Sequence, residues 1–266
     1  MDRQPVVAGQ FYPGNWSGLK TQVDDYLQGE TESDKTLLAM VPHAGYVFSG
    51  AVAGKTIARA NLSRRIILLG PNHSGRGTKM AVWDKGKWIM PGFEAPVDSG
   101  LADILTQVNG FTADYEAHQQ EHSLEVILPF LKVSLDKFSM VPVAVAEPDL
   151  DLLLDAGKSL GQSLKNKGED VSVVVSSDMS HYVSQDQARE KDQLAIDQVL
   201  ALDPEGLYRT VAGNRISMCG MLPMVLGLAC VRELGATKGR LVDYATSGDV
   251  NNDYSKVVGY AGLIVS

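Results

Sequence analysis

Five histidines stand in this chain of 266 residues, and three of them follow apolar runs in the same way. Residues 37–41 lead into Pro42-His43-Ala44-Gly45-Tyr46, residues 66–69 into Gly70-Pro71-Asn72-His73-Ser74-Gly75, and residues 171–175 into Ser176-Ser177-Asp178-Met179-Ser180-His181. Runs this apolar and β-branched read as buried parallel strands. Loops at the carboxyl ends of such strands build the ligand crevice of an open α/β sheet. Imidazole is a common ligand of zinc, copper and iron, so convergent histidines suggest a metal. His43 and His73 are the first ligand candidates, each in a turn rich in Gly, Pro, Asn or Ser.

Cys219 is the third. It directly precedes an apolar stretch that reads as a buried helix from about residue 221. A sulfur at a helix N-terminus is expected to have a lowered pKa and to favour the metal-binding thiolate. Its alternative is a small buried hydrophobe, which is the reading taken for Cys230. Asp178 and His181, three positions apart, face one cavity if the turn between them is helical. The carboxylate would then orient the imidazole and raise its basicity, as suits a general base. His122, in Glu121-His122-Ser123-Leu124-Glu125, is a further candidate of that kind. Glu121 and Glu125 otherwise serve as complements to a helix dipole. His118 lies in a polar stretch and is expected to be exposed. No Gly-x-Ser-x-Gly elbow, Walker loop or His-Glu-x-x-His is present.

The elements that must position these residues alternate between strand and helix. Strands are expected at 36–41, 65–69, 138–145, 171–175, 240–245 and 257–265. Pro142 places the third of these near an edge or bulge. Helices are expected at 17–28 with Ser17 as cap, 48–60, 100–109 capped by Ser99, 124–136 capped by Ser123, 149–167, 184–201 and 221–234. Pro129 should kink or shorten the fourth of these. Asp203-Pro204-Glu205 reads as N-cap, proline at N1 and an acidic first turn. Residues 80–83 and 87–90 read as a hairpin through Asp84-Lys85-Gly86. The sum is an α/β fold: one domain over 1–266, with a central mixed, largely parallel sheet between two helical layers.

Composition narrows the partners. A net charge of -8 argues against nucleic acid or an anionic membrane surface. No apolar run approaches the roughly 20 residues that span a bilayer. The opening Met1-Asp-Arg-Gln-Pro-Val has no apolar signal segment, so a cytoplasmic location is expected. Two cysteines are too few for a disulfide framework.

Six motifs, in order, resemble the Memo family: Ala8-Gly9-Gln10-Phe11-Tyr12-Pro13, Pro42-His43-Ala44-Gly45-Tyr46, Leu69-Gly70-Pro71-Asn72-His73, Glu121-His122-Ser123-Leu124-Glu125, Ser176-Ser177-Asp178-Met179-Ser180-His181 and Cys219-Gly220. The resemblance runs from about residue 3 to the C-terminus. It implies a fold similar to class III extradiol dioxygenases, which hold non-haem Fe(II) with two histidines and a carboxylate. In Memo-like proteins the matching pocket has two histidines and a cysteine, which implies His43, His73 and Cys219 here. Asp178 and His181 would line the same pocket, with His122 nearby. A thiolate in place of a carboxylate softens the site towards copper(I) or zinc as well as iron. Eukaryotic members look like redox-linked metal proteins that also bind peptides, and bacterial and archaeal members often accompany a radical-SAM protein.

Three functions follow. The first is an iron- or copper-dependent redox enzyme acting on a small molecule, with His181 and Asp178 as acid/base and His122 as a second proton-transfer or anchoring group. The second is a non-catalytic metal- or peptide-binding module. The third is a zinc hydrolase with His181 as the base.

Overall fold

A computed structural model describes residues 1–266. In chain order the elements are β1 (Asp2–Arg3), α1 (Trp16–Tyr26), β2 (Leu38–Val41), α2 (Tyr46–Arg59), β3 (Arg65–Pro71), β4 (Met80–Val82), β5 (Lys87–Met90), β6 (Phe93–Pro96), α3 (Ser99–Thr106), β7 (Thr112–Ala113), α4 (Leu128–Leu135), β8 (Ser139–Val145), α5 (Leu150–Lys167), β9 (Ser172–Ser176), β10 (His181–Val183), α6 (Gln185–Leu200), α7 (Pro204–Gly213), α8 (Met221–Glu233), β11 (Gly239–Thr246), α9 (Gly248–Asn251) and β12 (Val257–Val265). Two 3-10 turns, Glu116–His118 and Glu125–Ile127, precede α4.

The main sheet runs β10-β12-β2-β9-β3-β8-β4-β7, with β11 also on β12. Its centre, β2-β9-β3-β8, is parallel, and antiparallel pairs flank it on both sides. Successive strand residues point to opposite faces. Accordingly Leu38, Met40, Ile67, Leu69, Val173 and Val175 pack into one core with α3, α5, α6, α7 and α8. Ala39, Val41, Ile66, Leu68 and Val174 pack into the other with α1, α2 and α4. The architecture is the three-layer α/β/α sandwich that the strand–helix alternation predicts. No helix is long and apolar enough to cross a membrane.

Several local expectations are corrected. Residues 80–90 form no hairpin: β4 joins the main sheet beside β8, whereas β5 pairs with β1 and β6 in a separate three-stranded sheet. The true reversal is Pro91-Gly92, where Gly92 takes φ 81°, the left-handed region that a turn of this kind requires. Pro142 lies inside the sheet, level with Leu68 of β3. Its missing N–H falls opposite the end of β4: Trp83 N–H donates to the Pro142 carbonyl at 3.0 Å, and the return bond to Trp83 is the one forgone. Asn15, not Ser17, caps α1, and Asp98, not Ser99, caps α3; each side chain accepts a backbone N–H three residues on. Ser123 caps nothing, and α4 starts only at Leu128, with Pro129 in its first turn. Ser184 and Asp203 cap α6 and α7, the latter as the sequence predicts.

Candidate metal centre at the strand ends

Strand register decides what converges. Val41 of β2 lies level with Ser176 of β9, and Leu69 of β3 with Val175. His43, Asp178 and His73 therefore leave the sheet within a few residues of one line, at the carboxyl ends of three adjacent parallel strands. One donor nitrogen from each of His43, His73 and His122 lies within 4.8 Å of the others. The ring centroids are 5.3 Å apart for His43 and His73, 5.6 Å for His43 and His122, and 5.1 Å for the stacked His73 and His122. His43 is buried at the floor, His122 is half-buried, and His73 stands exposed at the rim. The crevice is thus open on one side.

Two close approaches bring in the 121–125 loop and the start of α8. A Cβ on Gly70 would come within 2.5 Å of Leu124 Cδ2, so glycine here lets Leu124 of the 121–125 loop pack directly on the end of β3. A Cβ on Gly220 would come within 2.3 Å of Ser177 Cβ, so glycine also lets the start of α8 reach β9. Cys219 arrives with it. Its Sγ is 3.3 Å from His43 Nε2 and accepts the Asp178 N–H at 3.2 Å. A nitrogen and a sulfur sharing one tetrahedral ion sit about 3.5 Å apart, so this pair has the spacing of shared ligands.

The electrostatics differ from one group to the next. Burial holds the His43 pKa well below the ordinary histidine range, with the neighbouring imidazoles adding to the effect. Burial lowers His122 as well. Partial burial works against a charged His73, yet the Glu121 carboxylate raises it overall. Glu121 itself is opposed by burial, but the hydrogen bond from His73 Nδ1 (2.9 Å) helps bring it down to about 2. Its other oxygen accepts the His73 backbone N–H at 2.6 Å. Cys219 departs from expectation: burial and the Asp178 carboxylate push its thiol up, outweighing the hydrogen bonds it receives. Neutral imidazoles and a carboxylate-braced histidine suit cation binding, because metals take the unprotonated ring.

Asp178 and His181 do not form the expected pair. Asp178 is buried and its Oδ1 accepts the His43 backbone N–H at 2.8 Å; burial raises its pKa. It braces the β2 turn. The turn to β10 is extended rather than helical, so His181 Nδ1 points to the Ser217 carbonyl at 3.0 Å. A carbonyl only accepts, so Nδ1 carries the proton and Nε2 the lone pair.

His118 is the plainest correction. It is fully buried against Trp83 and Trp88, 5.9 and 5.8 Å between centroids, and donates from Nε2 to the Ala81 carbonyl. Glu125 is no exposed dipole complement either: it is buried and paired with Arg3 at 2.7 Å. Sequence reasoning gave no role to Glu121 as the brace of His73, nor to Phe11, whose ring meets His122 edge-on at 5.0 Å. Both signals were present, since each residue lies in one of the six motifs.

The fold and the crevice define an α/β/α protein with histidines gathered at the carboxyl ends of its parallel strands. The model of the family described as Memo-like protein matches residues 3–264, and the chain belongs to the Memo family. It is 40% identical to a MEMO1 family protein of Aquifex aeolicus over 264 residues, covering 98% of both chains. It is 38% identical to one from Methanopyrus kandleri, covering 99% of both. Among solved structures, an uncharacterized protein from Escherichia coli K12 shares the fold, with a TM-score of 0.56 at 14% identity. That match covers 86% of this chain and all of the other.

Proposed function

We propose that this crevice is a metal centre of a redox protein, in which His43, His73 and Cys219 hold an iron or copper ion beside His122. The observation that carries this reading is the cluster of His43, His73 and His122 nitrogens within 4.8 Å of one another over the ends of β2 and β3, with Cys219 Sγ 3.3 Å from His43 Nε2. A soft sulfur with borderline imidazoles suits iron, copper or zinc better than magnesium or calcium. When bound, such an ion supplies electron transfer and Lewis acidity to a ligand in the open side of the crevice.

The chain's own residues do the rest. Glu121 fixes the His73 ring, and Asp178 fixes the His43 backbone. His181, with Nδ1–H held by Ser217, takes a proton at Nε2 from a small molecule or peptide group lying in the crevice. Phe11 covers one edge of His122.

Metal analysis after anaerobic purification tests this directly, and redox-active iron or copper is expected. Zinc alone would overturn the redox reading. Cys219→Ser should weaken metal affinity at least tenfold with the far-ultraviolet circular dichroism unchanged; undiminished affinity removes the sulfur from the site. His181→Ala should keep the metal and lose oxygen or reductant consumption.

A further inference from the structure

The hydrogen bonds beneath the crevice form one continuous chain, and it passes through a single residue. The Ser123 carbonyl can only accept, so the Ser176 hydroxyl, 2.7 Å away, must donate to it. That commits the only proton of Ser176 Oγ. His43 Nδ1 lies 2.7 Å from the same oxygen, so His43 must be the donor there. Its proton is on Nδ1, and Nε2, the atom beside Cys219, carries the lone pair. On the other side, the Ser123 N–H donates at 2.9 Å to Glu121 Oε1, the oxygen that also accepts His73 Nδ1–H. Ser123 and Ser176 are both fully buried, so water does not compete for these bonds.

We infer that Ser176, anchored on the Ser123 peptide, is a positioning residue that sets the tautomer of His43. The free histidine side chain prefers its proton on Nε2, which here is the atom beside Cys219 that must be bare to bind a cation. The hydroxyl reverses that preference. The N–H of the same Ser123 braces Glu121, so the two rings from β2 and β3 are locked in matching tautomers through one residue, with His122 as its immediate neighbour. Groups that orient metal-binding histidines through the second ring nitrogen characteristically alter metal affinity when removed. The inference rests on the metal-centre reading, but the tautomer itself is a property of the metal-free chain.

Nitrogen-15 NMR of histidine in the metal-free protein tests it. Wild type is expected to show His43 protonated at Nδ1 only. Ser176→Ala should shift that signal towards Nε2 protonation and lower affinity for added iron or copper about 10–100-fold. Ser176→Thr, which keeps the hydroxyl, should restore both. A proton on His43 Nε2 in wild type overturns the inference, as does an unchanged His43 tautomer in Ser176→Ala. If His43→Ala retains wild-type metal affinity, the metal-centre reading falls, while the tautomer result still decides the role of Ser176.

Discussion

The crevice and the pocket around His118 both bury a histidine completely, yet they are built on opposite terms. At His43, one ring nitrogen meets a buried hydroxyl and the other faces a sulfur and two further imidazoles. At His118, one nitrogen donates to the Ala81 carbonyl, and the other has no partner among the surrounding indoles. Burial alone therefore does not make a histidine functional. What sets the crevice apart is convergence, together with an acceptor behind His43 and His73 that leaves a lone pair in front of each.

Arg3 joins the two regions and offers the most severe way to break the contrast. Its guanidinium donates to the His118 carbonyl, the Glu121 carbonyl and the Glu125 carboxylate, and lies 4.1 Å over the Trp88 ring. Glu125 also accepts the Tyr12 hydroxyl and the N–H groups of Val6 and Val7. Arg3→Met would strand a buried carboxylate, and a loss of about 3–5 kcal/mol is expected in denaturant unfolding. Because the 118–125 loop carries His122 and Glu121, metal affinity should fall as well. A stable variant with intact affinity would mean that the loop holds its place without the arginine.

Acid tests the His118 pocket next. Burial lowers His118 from the ordinary 6.5 to about 4. The unfolded chain then takes up this proton at a higher pH than the folded one. The sign follows: its contribution to stability is complete above pH 6.5 and is lost progressively as pH falls to 4, by roughly 3 kcal/mol. Glu121, depressed to about 2, adds a second loss below the ordinary carboxylate range. Urea unfolding of the metal-free protein between pH 8 and 4 should show the first loss. A flat profile over that interval would refute the buried neutral His118.

How much of this was legible beforehand follows the same division. The parallel strands were readable because residues such as Ile66–Leu69 and Val173–Val175 are apolar on both faces, and a turn rich in glycine or serine ends each run. That also placed His43, His73 and Asp178 near one another. Side-chain partners were less readable. Nothing local says that Glu121 folds under His73, because that contact depends on Gly70 admitting the loop. His118 looked exposed because its neighbours in sequence are polar; its neighbours in space, Trp83 and Trp88, come from other elements. Asp178 looked like the partner of His181 because they are close in sequence, but an extended backbone sent His181 to Ser217 instead.

The smallest expected effect sharpens the contrast most. Glutamine can present its amide nitrogen about where histidine presents Nε2, so His118→Gln keeps a donor for the Ala81 carbonyl and removes a titrating ring. At pH 7.5 the variant should unfold within about 1 kcal/mol of wild type, since the retained bond offsets the exchange of one buried polar group for another. Its metal affinity should be unchanged, because no ring nitrogen of His118 faces the crevice. The difference should open only in acid, where wild type loses stability through the His118 proton and the variant does not. If the two proteins instead decline in parallel from pH 6.5 to 4, the acid sensitivity originates in the crevice histidines, and the neutral state of His118 contributes nothing to it.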